Sequence, residues 1–305
     1  MQFRQLLLAC SVFVALLLPD LAAFAAPALL PSLFIIMLLS LMNMNWQSGE
    51  IFQKSEWLSA LAIVLFQMIV LPLVLVLVLS SFLKLETVWF AGLILSGSTI
   101  FGASAFAGLL GLSSTLTLLG VLMSTLLMPF SLLFMWWLIG SAELDMSVVD
   151  YSQRIALFMV VPAILAWIYH LGCRRFNWRN NSNWIQHGVV LALIVFALAI
   201  MDGVTDFAMR DPLAAVQMFL LVLIIHLGLF GLSWLTFRFK GSQVAMIAGM
   251  LSANRNLGML MAVAGSMVPE NFLLFVGLWQ IPMYLSPLVL GFVLSRSKVA
   301  QKVNL

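Results

Sequence analysis

The segment Ser252-Ala253-Asn254-Arg255-Asn256-Leu257-Gly258 sets an arginine and two asparagines inside residues 244–264, a run otherwise almost wholly apolar and long enough to cross a bilayer. A guanidinium near the middle of a spanning helix costs about 2.5–3.5 kcal/mol on insertion scales, so it is expected to face a cavity or a partner and not lipid. Its forked donors suit a carboxylate, and the Asn256 amide beside it can meet an ion or a substrate. Arg255 and Asn256 are therefore the first candidates for a binding site, with Asn254 and Ser252 in the same interruption. The competing expectation is mechanical: Arg255 pins neighbouring helices through their backbone carbonyls.

A second interruption, Ser96-Gly97-Ser98-Thr99-Ile100-Phe101-Gly102-Ala103-Ser104, breaks an earlier apolar run. Ser98, Thr99 and Ser104 offer hydroxyls there, against the alternative that Gly and Ser only let helices approach closely. His226 could carry a proton within a membrane cavity, or be a buried, hydrogen-bonded histidine. Gln67 is polar within another apolar run and either faces the cavity or bonds a neighbouring helix. Paired buried carboxylates, a nucleophile elbow, a phosphate loop and a metal-ligand cluster are all missing from the sequence, so the chain is not expected to be an enzyme or to hold a metal or cofactor.

The elements that must position these residues are membrane helices. Hydrophobic residues make up 64% of the 305, charged residues only 8%, and the mean hydropathy is +1.14, far from a soluble composition. Apolar runs of about 20 residues recur from end to end, each meeting the length of a membrane helix. The short alternating segments of a β-barrel do not occur. The two cysteines, Cys10 and Cys173, make no disulfide framework or zinc site. Basic residues sit in short clusters at span ends, a pattern of a bilayer and not of nucleic acid as partner.

Breaks at Pro, Gly and charge clusters place ten spans, near 5–18, 25–42, 57–82, 87–110, 113–139, 152–171, 185–202, 212–236, 242–265 and 270–294. Residues 1–26 have the outline of a signal peptide, but losing them would spoil this count, so the first helix is expected to be retained. With ten spans, Arg4, Lys54, Arg174, Arg175, Arg179, Arg238, Lys240, Arg296, Lys298 and Lys302 share one side, and Lys84, Arg154 and Arg210 the other. The positive-inside tendency then puts both termini in the cytoplasm. Trp46, Trp57, Trp178 and Trp184 near span ends suit an aromatic belt.

The acidic link 141–150 divides the spans five and five. Five is odd, so similar halves must run in opposite directions across the bilayer, the inverted-repeat plan of many secondary transporters. The expectation is an all-α membrane protein of two inverted five-helix repeats, about 1–140 and 150–300. The two interruptions fall in its fourth and ninth helices, the penultimate helix of each half. Paired breaks of that kind mark a binding site near the midplane.

The residues that carry a family likeness are spread over nearly the whole chain. They are Leu16-Leu17-Leu18-Pro19-Asp20, the Gln67-to-Pro72 spacing, Gly92-Leu93-Ile94-Leu95, Met123-Ser124-Thr125-Leu126-Leu127-Met128-Pro129, Ile224-Ile225-His226-Leu227-Gly228 and Arg255-Asn256-Leu257-Gly258. In order and spacing the chain resembles the bile acid:sodium symporter family, within the bile-acid/arsenite/riboflavin transporter group. The resemblance implies a ten-helix transporter with core helices 3–5 and 8–10, panel helices 1–2 and 6–7, and broken helices 4 and 9 crossing behind the substrate cavity. It implies a small organic anion as substrate, often moved with sodium.

Two departures bear on coupling. Sodium-coupled members carry a C-C-P-G-G-like stretch where this chain has Ser98-Thr99-Ile100-Phe101-Gly102, and a glutamate where it has Leu251. Arsenite exporters use a thiolate in the fourth span, and none is present. The expected function is thus a secondary transporter of a small organic anion in the plasma membrane of a bacterium, with Na+ or H+ as candidate coupling ion. The alternative is a non-transporting sensor or assembly subunit on the same fold. Substrate identity, direction and oligomeric state are not legible.

Overall fold

The computed structural model describes residues 2–43, 54–139, 148–175, 182–264 and 270–303. Asn45, Trp46, Trp178 and most of the 141–150 link lie outside the described residues. The described chain is α-helical with short 3-10 and π-helical turns, and its one extended pairing is an isolated bridge between the two sequence interruptions. Among the described residues, six helices or helix runs are long and apolar enough to cross a bilayer: Pro19–Met42, Lys54–Leu79, Ser114–Met135, Asn183–Arg210, Pro212–Lys240 and Phe272–Leu294. Many large apolar side chains point outward from them, Leu77, Leu126, Phe130, Ile224 and Leu227 among others. An outer surface so apolar is stable only against lipid, and the chain is an integral membrane protein.

The first half runs α1 (Gln2–Leu17), α2 (Pro19–Ala25), a 3-10 turn (Ala26–Ala28), α3 (Leu29–Met42), α4 (Lys54–Leu65), a π-helical turn (Phe66–Val70), α5 (Leu71–Leu79), α6 (Leu85–Ser96), α7 (Ala103–Leu110) and α8 (Ser114–Ile139). The second runs α9 (Val148–Arg175), α10 (Ser182–Ile200), α11 (Val204–Arg210), α12 (Pro212–Phe237), a 3-10 turn (Arg238–Lys240), α13 (Ser242–Ala253), α14 (Leu257–Ala264) and α15 (Glu270–Val303). Three limits differ from the sequence expectation. The second apolar run begins at Pro19, not near residue 25: Pro19 starts α2, where its missing N–H costs nothing. The link 203–210 is not a loop. Gly203, at φ 76°, ends the α10 run, and α11 follows before the Asp211 carboxylate caps α12 by accepting from the Ala214 N–H at 3.0 Å. The last helix continues to Val303, well past residue 294.

The helices pack as one continuous network, with α1 lying against both α10 and α15. α10 lies along α1, α2 and α3, and α3 along α9. α12 packs on α13 and α15, α4 on α8, and α7 on α8. Prolines inside or at the joints of these helices remove N–H donors, and membrane-buried backbone must then find others. One of these, Pro72, matters at the site.

Candidate functional site

α6 and α13 are short helices that stop inside the molecule, and each resumes in another short helix, α7 and α14. Neither break is disordered backbone in an apolar core. The breaks cross and pair. Thr99 and Arg255 face each other in an antiparallel bridge: the Ile100 N–H donates to Asn254 O at 2.9 Å and the Asn256 N–H to Ser98 O at 2.7 Å. Swapping the two breaks exchanges these bonds. The flanking residues obey the same exchange, since Ser96 and Gly102 stand three before and three after Thr99, as Ser252 and Gly258 do around Arg255.

Directly opposed residues of a bridge share a face, and their neighbours take the other. On the first face lie Thr99 and Arg255. The Thr99 hydroxyl donates to Leu251 O at 3.0 Å, a carbonyl at the end of α13, and accepts from Gln67 Nε2 at 3.3 Å. Arg255 answers in the opposite direction: its Nη1 donates to Gly97 O, just past α6, at 3.1 Å. Each break therefore caps the carboxyl end of the other's leading helix, where helices leave orphan carbonyls. The Thr99 N–H is met by Ser124 Oγ of α8 at 3.1 Å, and Ala253 O by Trp279 Nε1 of α15 at 3.2 Å.

The second guanidinium donor, Nη2, reaches Gln67 O at 2.8 Å. Pro72 explains why that carbonyl is open. The Leu71 N–H, its α-helical partner, bonds Phe66 O in the π-helical turn, and Pro72, next in line, has no N–H to give. The adjacent Met68 O meets Ser131 Oγ at 3.3 Å. The Gln67-to-Pro72 spacing is thus a receptor for Arg255.

Arg255 is wholly buried, so it does not line an open cavity here. Two of its donors are taken by backbone carbonyls, which is the mechanical alternative stated above; its Nε has no partner. Among the described residues it is the only buried Asp, Glu, Lys or Arg. Its charge meets no carboxylate. It meets instead the carboxyl end of α6, which carries roughly half a negative charge from its aligned peptides, and the open Gln67 carbonyl.

On the other face lie Ser98 and Asn256, both buried. The Asn256 Oδ1 caps α14 by accepting from the Met259 N–H at 3.0 Å, while its Nδ2 and the Ser98 Oγ have no partner. The amino ends of α7 and α14 begin here, bringing positive helix ends to the crossing. Asn254 does not share their openness: its amide exchanges bonds with Ser286 of α15 at 3.3 Å. Ser252 is buried with an unpartnered Oγ. Ser104 is half-buried on the first turn of α7. His226 is buried on α12 with its ring edge-on to Trp279 at 5.7 Å and its Nδ1 unpartnered, and no bond joins it to the bridge.

Sequence reasoning missed Ser124, Ser286, Trp279 and Gln280. The first two were visible as polar residues in apolar helices; Trp279 gave no signal, being apolar by count. Gln280 is fully buried with neither amide atom partnered, and stands beside the tryptophan that touches Ala253. The side covered by α10 is apolar. A Cβ at Gly102 would lie 3.2 Å from a Leu193 methyl of α10, and one at Gly258 would run into the Phe196 ring of the same helix. These matching glycines let α10 lie directly on the crossing.

Against known protein-family models and curated proteins the chain has no match. The likeness to the bile acid:sodium symporter family therefore rests on the residues quoted for it.

Proposed function

We propose that the protein is a secondary transporter that carries a small organic anion across the membrane. The observation that carries this reading is the Ser98–Asn256 face of the crossing. There two helices are interrupted inside the bilayer, their amino ends meet, and buried donors stand without partners. A structural bundle gains nothing from two unwound segments, whereas a carrier needs freed polar groups where substrate sits. The positive helix ends and the Asn256 Nδ2 amide suit a carboxylate or similar anion. In this reading Arg255 holds the crossing together and does not grip the substrate.

The architecture that goes with it is ten spans in two inverted repeats. α1, α2–α3, α9 and α10 form a panel; α4–α8 and α12–α15 form a core whose crossing is covered by Leu193 and Phe196. Both termini are cytoplasmic, in the plasma membrane of a bacterium. Sodium and the proton are the two candidate coupling ions, the proton through His226. The test is uptake of labelled small carboxylates into proteoliposomes, with sodium replaced by choline at fixed pH and potential. Uptake that saturates and falls in the Asn256→Ala protein supports the reading. No uptake of any anion in either direction would leave the sensor or assembly subunit in its place.

A further inference from the structure

The carbonyls that Arg255 occupies are the hard oxygen ligands that a small diffusible cation would use. Gly97 O and Gln67 O come from two different helices, one past the carboxyl end of α6, the other opened by Pro72. The carboxyl end of α13 comes to the crossing as well, where Thr99 and Trp279 meet its carbonyls. The carboxyl end of α6 carries roughly half a negative charge, and together with the open Gln67 carbonyl it calls for a positive group with two donors. No acidic residue among the buried ones supplies a counter-demand. The guanidinium matches that demand in charge, and the chain itself delivers it.

We propose that Arg255 is a tethered cation: it fills a monovalent cation site at the helix crossing, so that the two breaks hold their pairing without any diffusible ion. The site proper is Gly97 O, at the carboxyl end of α6, and Gln67 O; its ligand class is a planar or small monovalent cation. Removing the side chain leaves two buried carbonyls without donors, and a free guanidinium ion fits what is vacated. This inference stands on the crossing's geometry and does not need the transport reading.

The experiment is thermal unfolding of the purified full-length protein in detergent, which requires no substrate. The unmodified protein should unfold at the same temperature in sodium chloride and in choline chloride of equal ionic strength; a sodium-specific rise would overturn the proposal. Arg255→Ala should unfold at a lower temperature and regain at least about 3 °C in ~10 mM guanidinium chloride over choline chloride, by binding to the native state alone. That concentration is far below denaturing levels. The unmodified protein should gain nothing from the same salt. An alanine variant equally stable in both salts sinks the idea. If that variant does not accumulate, Arg255→Lys decides: keeping the charge, it should fold and show no preference for sodium over choline. A lysine variant that fails to accumulate, or that needs sodium, would show that a tethered charge is not what the crossing requires. Because unfolding is the readout, failure here leaves anion transport untouched, and failed transport leaves this intact.

Discussion

The two breaks occupy matched places in the crossing but carry different side chains at the centre: Thr99 in one, Arg255 in the other. Both cap the carboxyl end of the opposite helix, and both sit beside Gln67. The hydroxyl makes one such donation; the guanidinium makes two, to carbonyls on different helices. The threonine break is also braced from outside by Ser124, which meets its backbone directly. What the difference teaches is that a repeated backbone geometry does not repeat its energetics. One break is fastened by neutral bonds alone, the other by neutral bonds to Trp279 and Ser286 together with one charged group that joins two helices.

The largest expected effect breaks that comparison outright. Arg255→Met should cost about 3 kcal/mol or more, since each of two buried carbonyls loses its donor at about 1–3 kcal/mol. Thr99→Val, which orphans Leu251 O and removes the longer bond from Gln67 Nε2, should cost about 1–2 kcal/mol. Thermal unfolding of both variants checks the order, and equal losses would mean that the charge adds nothing.

A second asymmetry lies in the matching glycines. Gly258→Ala drives a methyl into the Phe196 ring and should cost about 1–3 kcal/mol through overpacking. Gly102→Ala meets only the movable Leu193 methyls, 3.2 Å away, and should cost less than about 1 kcal/mol. Phe196→Leu should relieve the first and leave the second unchanged. Unfolding temperatures of the single and double variants are the measurement.

Asn256 sharpens the comparison by splitting two roles. Asn256→Ala removes the α14 cap and should cost about 1 kcal/mol. Asn256→Asp keeps the capping oxygen but loses the Nδ2 donor, so it should hold stability at least as well as alanine does. In uptake assays both should reduce anion transport, the aspartate more strongly because it also sets a negative charge before the anion. Transport that tracks stability across the pair would assign Asn256 to capping alone.

The smallest effect concerns Pro72. Pro72→Ala restores an N–H that can serve the Gln67 carbonyl, so the loss caused by Arg255→Met should shrink in that background by about 0.5–1 kcal/mol. A double-mutant cycle reads this coupling; strict additivity would mean that the open carbonyl does not depend on proline.

Composition and apolar run length by themselves determined that this is an all-helical membrane protein, because backbone in lipid has few ways to satisfy its polar groups. Polar interruptions within apolar runs singled out both breaks for the same reason: buried polar residues are too costly to be incidental. The Gln67-to-Pro72 spacing was legible as a pattern, though not as a receptor. What only the tertiary structure decided was which groups meet. The bond from Arg255 to Gln67 O depends on a π-helical register that local propensity does not specify. Trp279 acts through one ring nitrogen placed by helix packing, and Asn254 is spent on Ser286 while its neighbour Asn256 keeps a free donor. Residue type sets the cost of leaving a group unpaired; only the fold chooses the partner that removes it.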